Sequence, residues 1–223
     1  MTGDNDRGEW LFARPFVFVR GVASLDGLPE GDRPEVAFIG RSNCGKSSFL
    51  NGLTGRRKLA IVSVTPGRTR QLNYFAPEID KPALYMVDMP GYGHARAGRE
   101  EVRRWTSLSR TYVQGRASLV RIFLLVDARR GIMNVDRSFM EMMDEVAVSF
   151  QLVLTKIDCL KTGELEARLE EVGAELLCHG AAHPEVLATS GRTGAGMDEA
   201  RREVATLANL EVMGYNPHSG LTG

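Results

Sequence analysis

Gly40-Arg41-Ser42-Asn43-Cys44-Gly45-Lys46-Ser47 spaces two glycines five residues apart and follows the second with a lysine and a serine. Glycines permit the backbone turns in which several N–H groups converge on one anion. A helix beginning near Lys46 adds the partial positive charge of its amino terminus at the same point. In that setting the Lys46 ammonium meets the β and γ phosphates of a nucleotide, and the Ser47 hydroxyl ligates magnesium. The string predicts a phosphate-binding loop, with all eight residues against the nucleotide. A chance match in a turn is the alternative. It is disfavoured because the apolar run Val36–Ile39 precedes the string and a helical pattern follows it.

A phosphate loop does not choose a base. Thr155-Lys156-Ile157-Asp158 follows the apolar run Phe150–Leu154, which puts Asp158 at the carboxyl end of a strand, where ligands bind in open α/β sheets. Guanine presents N1–H and its 2-amino group as adjacent donors to a carboxylate. Adenine has an unprotonated N1 and would leave Asp158 unpaired. In this reading the Lys156 stem lies along the base, and Thr189-Ser190-Gly191 offers a backbone N–H to the guanine O6. Taken alone, a lysine and an aspartate on a turn read as a helix cap. Asp88-Met89-Pro90-Gly91 ends another apolar run, with the carboxylate placed to hold magnesium through water and the Gly91 N–H placed to meet the γ phosphate. A plain Pro-Gly turn is its bland reading.

These strings need a scaffold, and the rest of the chain supplies one. Short apolar runs alternate with segments of helical period, the signature of strands joined by crossover helices. Strands are expected at Val36–Ile39, Leu72–Phe75, Ala83–Val87, Leu119–Val126, Phe150–Leu154 and Glu185–Ala188. Helices are expected where apolar residues recur three and four apart, as in Val135, Phe139, Met142, Met143 and Val146. The fold class is therefore α/β, a single G-domain-like unit with a mostly parallel six-stranded sheet and helices on both faces. Residues 35–210 form that domain. Residues 1–34 are expected to be an amino-terminal extension packing on the core, and 211–223 a loose tail.

Composition bounds the rest. Hydrophobic residues make 43% of the chain and charged residues 25%, as in ordinary globular proteins. The three cysteines are far apart and fit neither a disulfide framework nor a zinc site. The longest apolar run, Ile122–Val126, is far short of the roughly 18 residues a membrane span needs. With no export signal visible, a cytoplasmic monomer without a membrane span is expected.

The formal net charge of zero conceals a division. Residues 1–130 carry 21 Lys and Arg against 13 Asp and Glu, and residues 131–223 carry 7 against 15. No acid occurs from Val36 to Pro77, and His94 to Arg116 holds six arginines against Glu100 and Glu101. Such stretches suit phosphate partners, with a solvated surface as the bland alternative.

With Thr65-Pro66-Gly67-Arg68-Thr69 and Asp88-Met89-Pro90-Gly91-Tyr92-Gly93 added to the phosphate loop, the chain resembles the EngB (YsxC/YihA) family of bacterial ribosome-assembly GTPases from about Pro15 to Leu210. Cys44 stands where similar proteins usually have Val or Ala, and Arg70 where many have Gln. The resemblance implies GTP, GDP and Mg2+ as ligands. It also implies slow hydrolysis of GTP, the large ribosomal subunit or its rRNA-containing precursor as partner, and a linked requirement in cell division and septation. A tRNA-modification or signalling GTPase, or a septum-associated nucleotide-binding protein, is the competing reading.

The segment with Gly67, Arg68 and Thr69 is the first switch. The resemblance favours Thr69 as metal ligand and, with Lys46, as catalytic residue, while Thr65 is kept as the alternative. The second switch runs from Asp88 to about Gly98. Tyr92 stands where many GTPases place a water-orienting glutamine, so intrinsic turnover should be slow. Asn43 either offers its side-chain oxygen to a potassium ion, as resemblance to potassium-dependent GTPases suggests, or only stabilises the loop. His94 is expected to be solvated. Trp10, Phe12, Phe16 and Phe18 are expected to pack on the core, with a base-stacking platform as the alternative.

Overall fold

The computed structural model describes residues 3–56, 59, 71–92 and 107–215. A seven-stranded sheet has the order β1-β3-β4-β2-β5-β6-β7. Its strands are β1 (Phe16–Val22), β2 (Glu35–Gly40), β3 (Leu72–Pro77), β4 (Tyr85–Asp88), β5 (Leu119–Asp127), β6 (Phe150–Thr155) and β7 (Leu187–Ala188). The pairs from β4 through β2, β5 and β6 to β7 are parallel, and β1–β3 and β3–β4 are antiparallel. The parallel strands β2 and β6 are buried along their whole length, which is why they read as nearly unbroken apolar runs.

Six helices among the described residues cover the two faces: α1 (Gly3–Phe12), α2 (Lys46–Thr54), α3 (Ser107–Gly115), α4 (Asn134–Glu145), α5 (Glu164–Leu176) and α6 (Met197–Thr206). Period-two alternation divides each strand between two cores. Val36 and Phe38 of β2 join Phe123 and Leu125 of β5 under α1, α2 and α6. Ala37 and Ile39 join Ile122, Leu124 and Val126 under α3, α4 and α5.

Four expectations change. The sheet has seven strands rather than six, because Phe16–Val22 pairs antiparallel with β3 at the edge. Its four central residues from Phe18 to Gly21 are exposed, so no inward-outward alternation marks it as a strand. The tail is not loose from its start. Leu210–Met213 forms a 3-10 turn, and Tyr215, 7% exposed, meets the Trp10 ring edge-on at 5.1 Å. The last strand is only Leu187–Ala188, with Glu185 outside it. Phe16 is in the core and Trp10 packs against it, whereas Phe18 is 41% exposed.

Candidate nucleotide-binding site

The carboxyl ends of β2, β4, β5, β6 and β7 converge on one edge of the sheet, and every described site string lies there. The phosphate loop leaves β2 at Gly40. A side chain on Gly40 would sit 2.5 Å from the Leu125 carbonyl oxygen and 2.7 Å from the Cys44 Sγ, so only glycine fits. Asn43 and Gly45 take left-handed backbone angles, φ 64° and 101°, and α2 begins at the next residue, Lys46. The amino terminus of α2 is thus aimed into the turn.

At that terminus the Lys46 ammonium forms an ion pair with the Asp88 carboxylate at the end of β4. Asp88 is 5% exposed, so its charge is held by this contact. Ser47 is exposed beside it. One hydroxyl and one carboxylate, completed by phosphate and water oxygens, are the hard donors that magnesium accepts, so these residues fit that ion.

The base-reading strings meet the loop through bonds that no short string reveals. The Thr155 hydroxyl is shared by the Cys44 and Val126 carbonyls. Lys156, itself left-handed at φ 59°, extends Nζ to the Asn43 carbonyl at 2.6 Å and to Asp127 Oδ2 at 2.9 Å. Gly191 lies so close to α2 that a Cβ there would be 2.8 Å from the Ser48 carbonyl oxygen. Asp158 accepts from the Ser190 hydroxyl at 2.5 Å and from Arg192 Nε at 2.7 Å. The Ser190 hydroxyl, then the Arg192 guanidinium, hold its carboxyl down to about 2, so it is ionised at any working pH.

Several of the expected site residues also have structural partners. The side chains of Thr155 and Thr189 are buried and donate to carbonyls, that of Thr189 to Leu154 at 2.9 Å. Cys44 is a buried filler whose thiol is pushed up by burial. Met89 is wholly in the core, and its N–H donates to the Phe38 carbonyl at 3.0 Å. The Arg41 guanidinium turns from the phosphates to Asp136, with Nε 3.2 Å from Oδ2. Arg116, expected on a phosphate-facing surface, pairs with the buried Glu35. Gly67, Arg68, Thr69, Thr65, Gly93, His94, Gly98 and the arginines from Arg96 to Arg104 lie outside the described residues.

Three residues at this edge were not legible as site residues: Asp127, Asp136 and Arg192. Asp127 carries the clearest signal, an aspartate at the carboxyl end of the longest apolar run. It is buried, yet Arg129 and Lys156 hold its carboxyl well below the usual range against the upward push of burial.

A strand, a glycine turn with a helix starting at its lysine, a second strand ending in aspartate, and a third ending in Thr-Lys-x-Asp define a P-loop GTPase. The family model described as 50S ribosome-binding GTPase matches residues 35–156, more than half of the chain. The chain is 53% identical over 206 residues to the probable GTP-binding protein EngB of Rhodospirillum rubrum, covering 92% of this chain and 89% of the relative. It is 51% identical to the EngB of Hyphomonas neptunium over 92% of this chain and 93% of the relative. A crystal structure of a probable GTP-binding protein EngB superposes with a TM-score of 0.60 at 20% identity, covering 78% of this chain and 97% of that one. Era bound to MgGDPNP and a fragment of 16S ribosomal RNA superposes equally well, at 0.60 and 23% identity, over 78% of this chain and 56% of that one.

This chain belongs to the EngB family of GTP-binding proteins. It binds guanine nucleotides and is a GTPase. No helix among the described residues is long and apolar enough to cross a membrane.

Proposed function

We propose that this GTPase is a nucleotide-controlled switch in assembly of the large ribosomal subunit, with normal cell division and septation depending on it through ribosome supply. The observation that carries the reading is the match to a family described as 50S ribosome-binding, on a chain whose basic stretches flank its nucleotide site. Era, similar in fold, is an RNA-bound neighbour and adds support by analogy. Arg56 and Arg110 are exposed candidates for rRNA phosphates. Arg116 is withdrawn from that role because it serves the buried Glu35 carboxylate.

In the proposed site Gly40 to Ser47 cradle the phosphates and Lys46 exchanges Asp88 for phosphate oxygen. Bound magnesium would screen the phosphate charge, held by Ser47 and, in the first switch, Thr69. The Gly91 N–H senses the γ phosphate. Asp158 accepts guanine N1–H and the 2-amino group in competition with Ser190 and Arg192. The N–H groups of Thr189 and Ser190 already donate to Leu154 and Ala195, which narrows the donor to guanine O6 to Gly191. Intrinsic hydrolysis is slow in this reading because Tyr92 is 6% exposed and donates to Asp136, so it orients no water.

The left-handed backbone at Asn43 gives a loop-stabilising role a physical cause, since asparagine tolerates that conformation. Its side chain is exposed, so its oxygen is accessible to a potassium ion in the alternative reading. Turnover several-fold faster in potassium than in sodium chloride at matched ionic strength is expected, and equal rates remove the ion from the mechanism.

The partner is tested by pelleting purified large subunits with the protein in a GTP analogue and in GDP across a salt series. Binding should favour the analogue and weaken by roughly 0.7–0.9 log units per tenfold salt for each phosphate neutralised. Binding that ignores nucleotide and salt defeats the reading.

A further inference from the structure

Asp136 is fully buried in the first turn of α4 and no nucleotide contact explains it. Its Oδ1 accepts the Tyr92 hydroxyl at 2.7 Å. Its Oδ2 accepts the Met133 N–H at 2.9 Å and faces Arg41 Nε at 3.2 Å. The other ends of these contacts are themselves joined. Arg41 and Tyr92 form a parallel bridge in which Ser42 N–H donates to the Tyr92 carbonyl at 3.0 Å and Tyr92 N–H to the Gly40 carbonyl at 3.3 Å. The Tyr92 ring lies nearly parallel to Phe139 of α4, centroids 5.7 Å apart. Gly91 is pressed between: a Cβ there would be 3.0 Å from the Gly40 carbonyl oxygen.

We infer that Asp136 is a positioning residue that clamps the start of the second switch to the phosphate loop, holding the Gly91 N–H in place before a γ phosphate arrives. The described start of that switch, from Asp88 to Tyr92, is then a fixed element rather than part of what rearranges. This rests on the reading of Gly91 as the γ-phosphate sensor. A preset donor costs no ordering when GTP binds, so the clamp favours GTP over GDP, which makes no such contact. Burial, then the Asp136 charge, pushes the Tyr92 phenol well above its ordinary value, so it remains a neutral donor.

The test compares affinities for a non-hydrolysable GTP analogue and for GDP in wild type, Tyr92→Phe, Asp136→Asn, the double variant and Gly91→Pro, with thermal unfolding of each. Tyr92→Phe should weaken the analogue about tenfold and GDP less than threefold, the size of one buried hydrogen bond to a charged group. Asp136→Asn should lower the same ratio, and the double variant should be no worse than the stronger single one. Equal loss for both nucleotides, or an unchanged ratio in both single variants, overturns the clamp. Gly91→Pro removes the donor itself. Unchanged analogue affinity in Gly91→Pro defeats the sensor reading, whereas its impairment with an unchanged ratio in both Tyr92→Phe and Asp136→Asn defeats the Asp136 inference alone.

Discussion

Asp158→Asn should lower GTP affinity by about 10³-fold or more and raise affinity for xanthosine triphosphate, because a buried site that hydrogen-bonds two groups of a base rejects a base lacking the match by about 10⁴. The change replaces one carboxylate oxygen by an NH₂ donor. Guanine then meets donor with donor at its 2-amino group, while xanthine offers a carbonyl there. The local network sharpens the effect. Both carboxylate oxygens already accept donors, from Ser190 and Arg192, so an asparagine amide would also face one of these unfavourably. Because the Asp158 carboxyl titrates near 2, the defect should be independent of pH between about 5 and 8. A carboxyl depressed in the folded state adds stability above its unfolded value, near 4, and loses it as pH falls towards 2. Equilibrium titration with labelled GTP and xanthosine triphosphate checks the exchange, and undiminished GTP affinity would remove Asp158 from base recognition.

Lys46→Ala should weaken GTP binding about 100-fold, the size expected for a lost charge-assisted bond to phosphate. It carries a second cost that the motif alone does not announce. Asp88 is buried against this ammonium, and stranding a buried carboxylate costs about 3–5 kcal/mol of stability. Thermal unfolding should therefore show a lowered midpoint before any nucleotide is added. Adding Asp88→Asn should restore most of the midpoint without restoring nucleotide affinity, which separates the structural from the binding role of the lysine. Ser47→Ala should instead leave the midpoint near wild type and shift the magnesium dependence of binding. Identical magnesium profiles in Ser47→Ala and wild type would mean that this hydroxyl is not a ligand.

The α/β class, the buried parallel strands and the order of the nucleotide strings were legible because each is local. Strand, glycine turn and helix start are adjacent from Val36 to Ser47, and their hydrogen-bonding rules act within a few residues. The binding of guanine nucleotides was legible for the same reason, since the acceptors of one side chain were enough to argue for it. What the chain brings together over long separations was not. Thr155 bonds to Cys44, Lys156 to Asp127 and Tyr92 to Asp136, and Arg41 forms an ion pair with Asp136, across 29 to 111 residues. Nothing in the residue types said that Arg41 and Arg116 serve buried carboxylates rather than phosphates, because an arginine suits either and only burial of the partner decides. The edge strand Phe16–Val22 escaped because its central residues face solvent and its pairing lies in β3, 50 or more residues away. Tyr215 joins the core only because α1 and the carboxyl-terminal turn meet there. Sequence alone determined which groups are candidates to handle the nucleotide; the tertiary structure decided which other groups hold them still, since a contact between distant residues has no period or spacing to betray it.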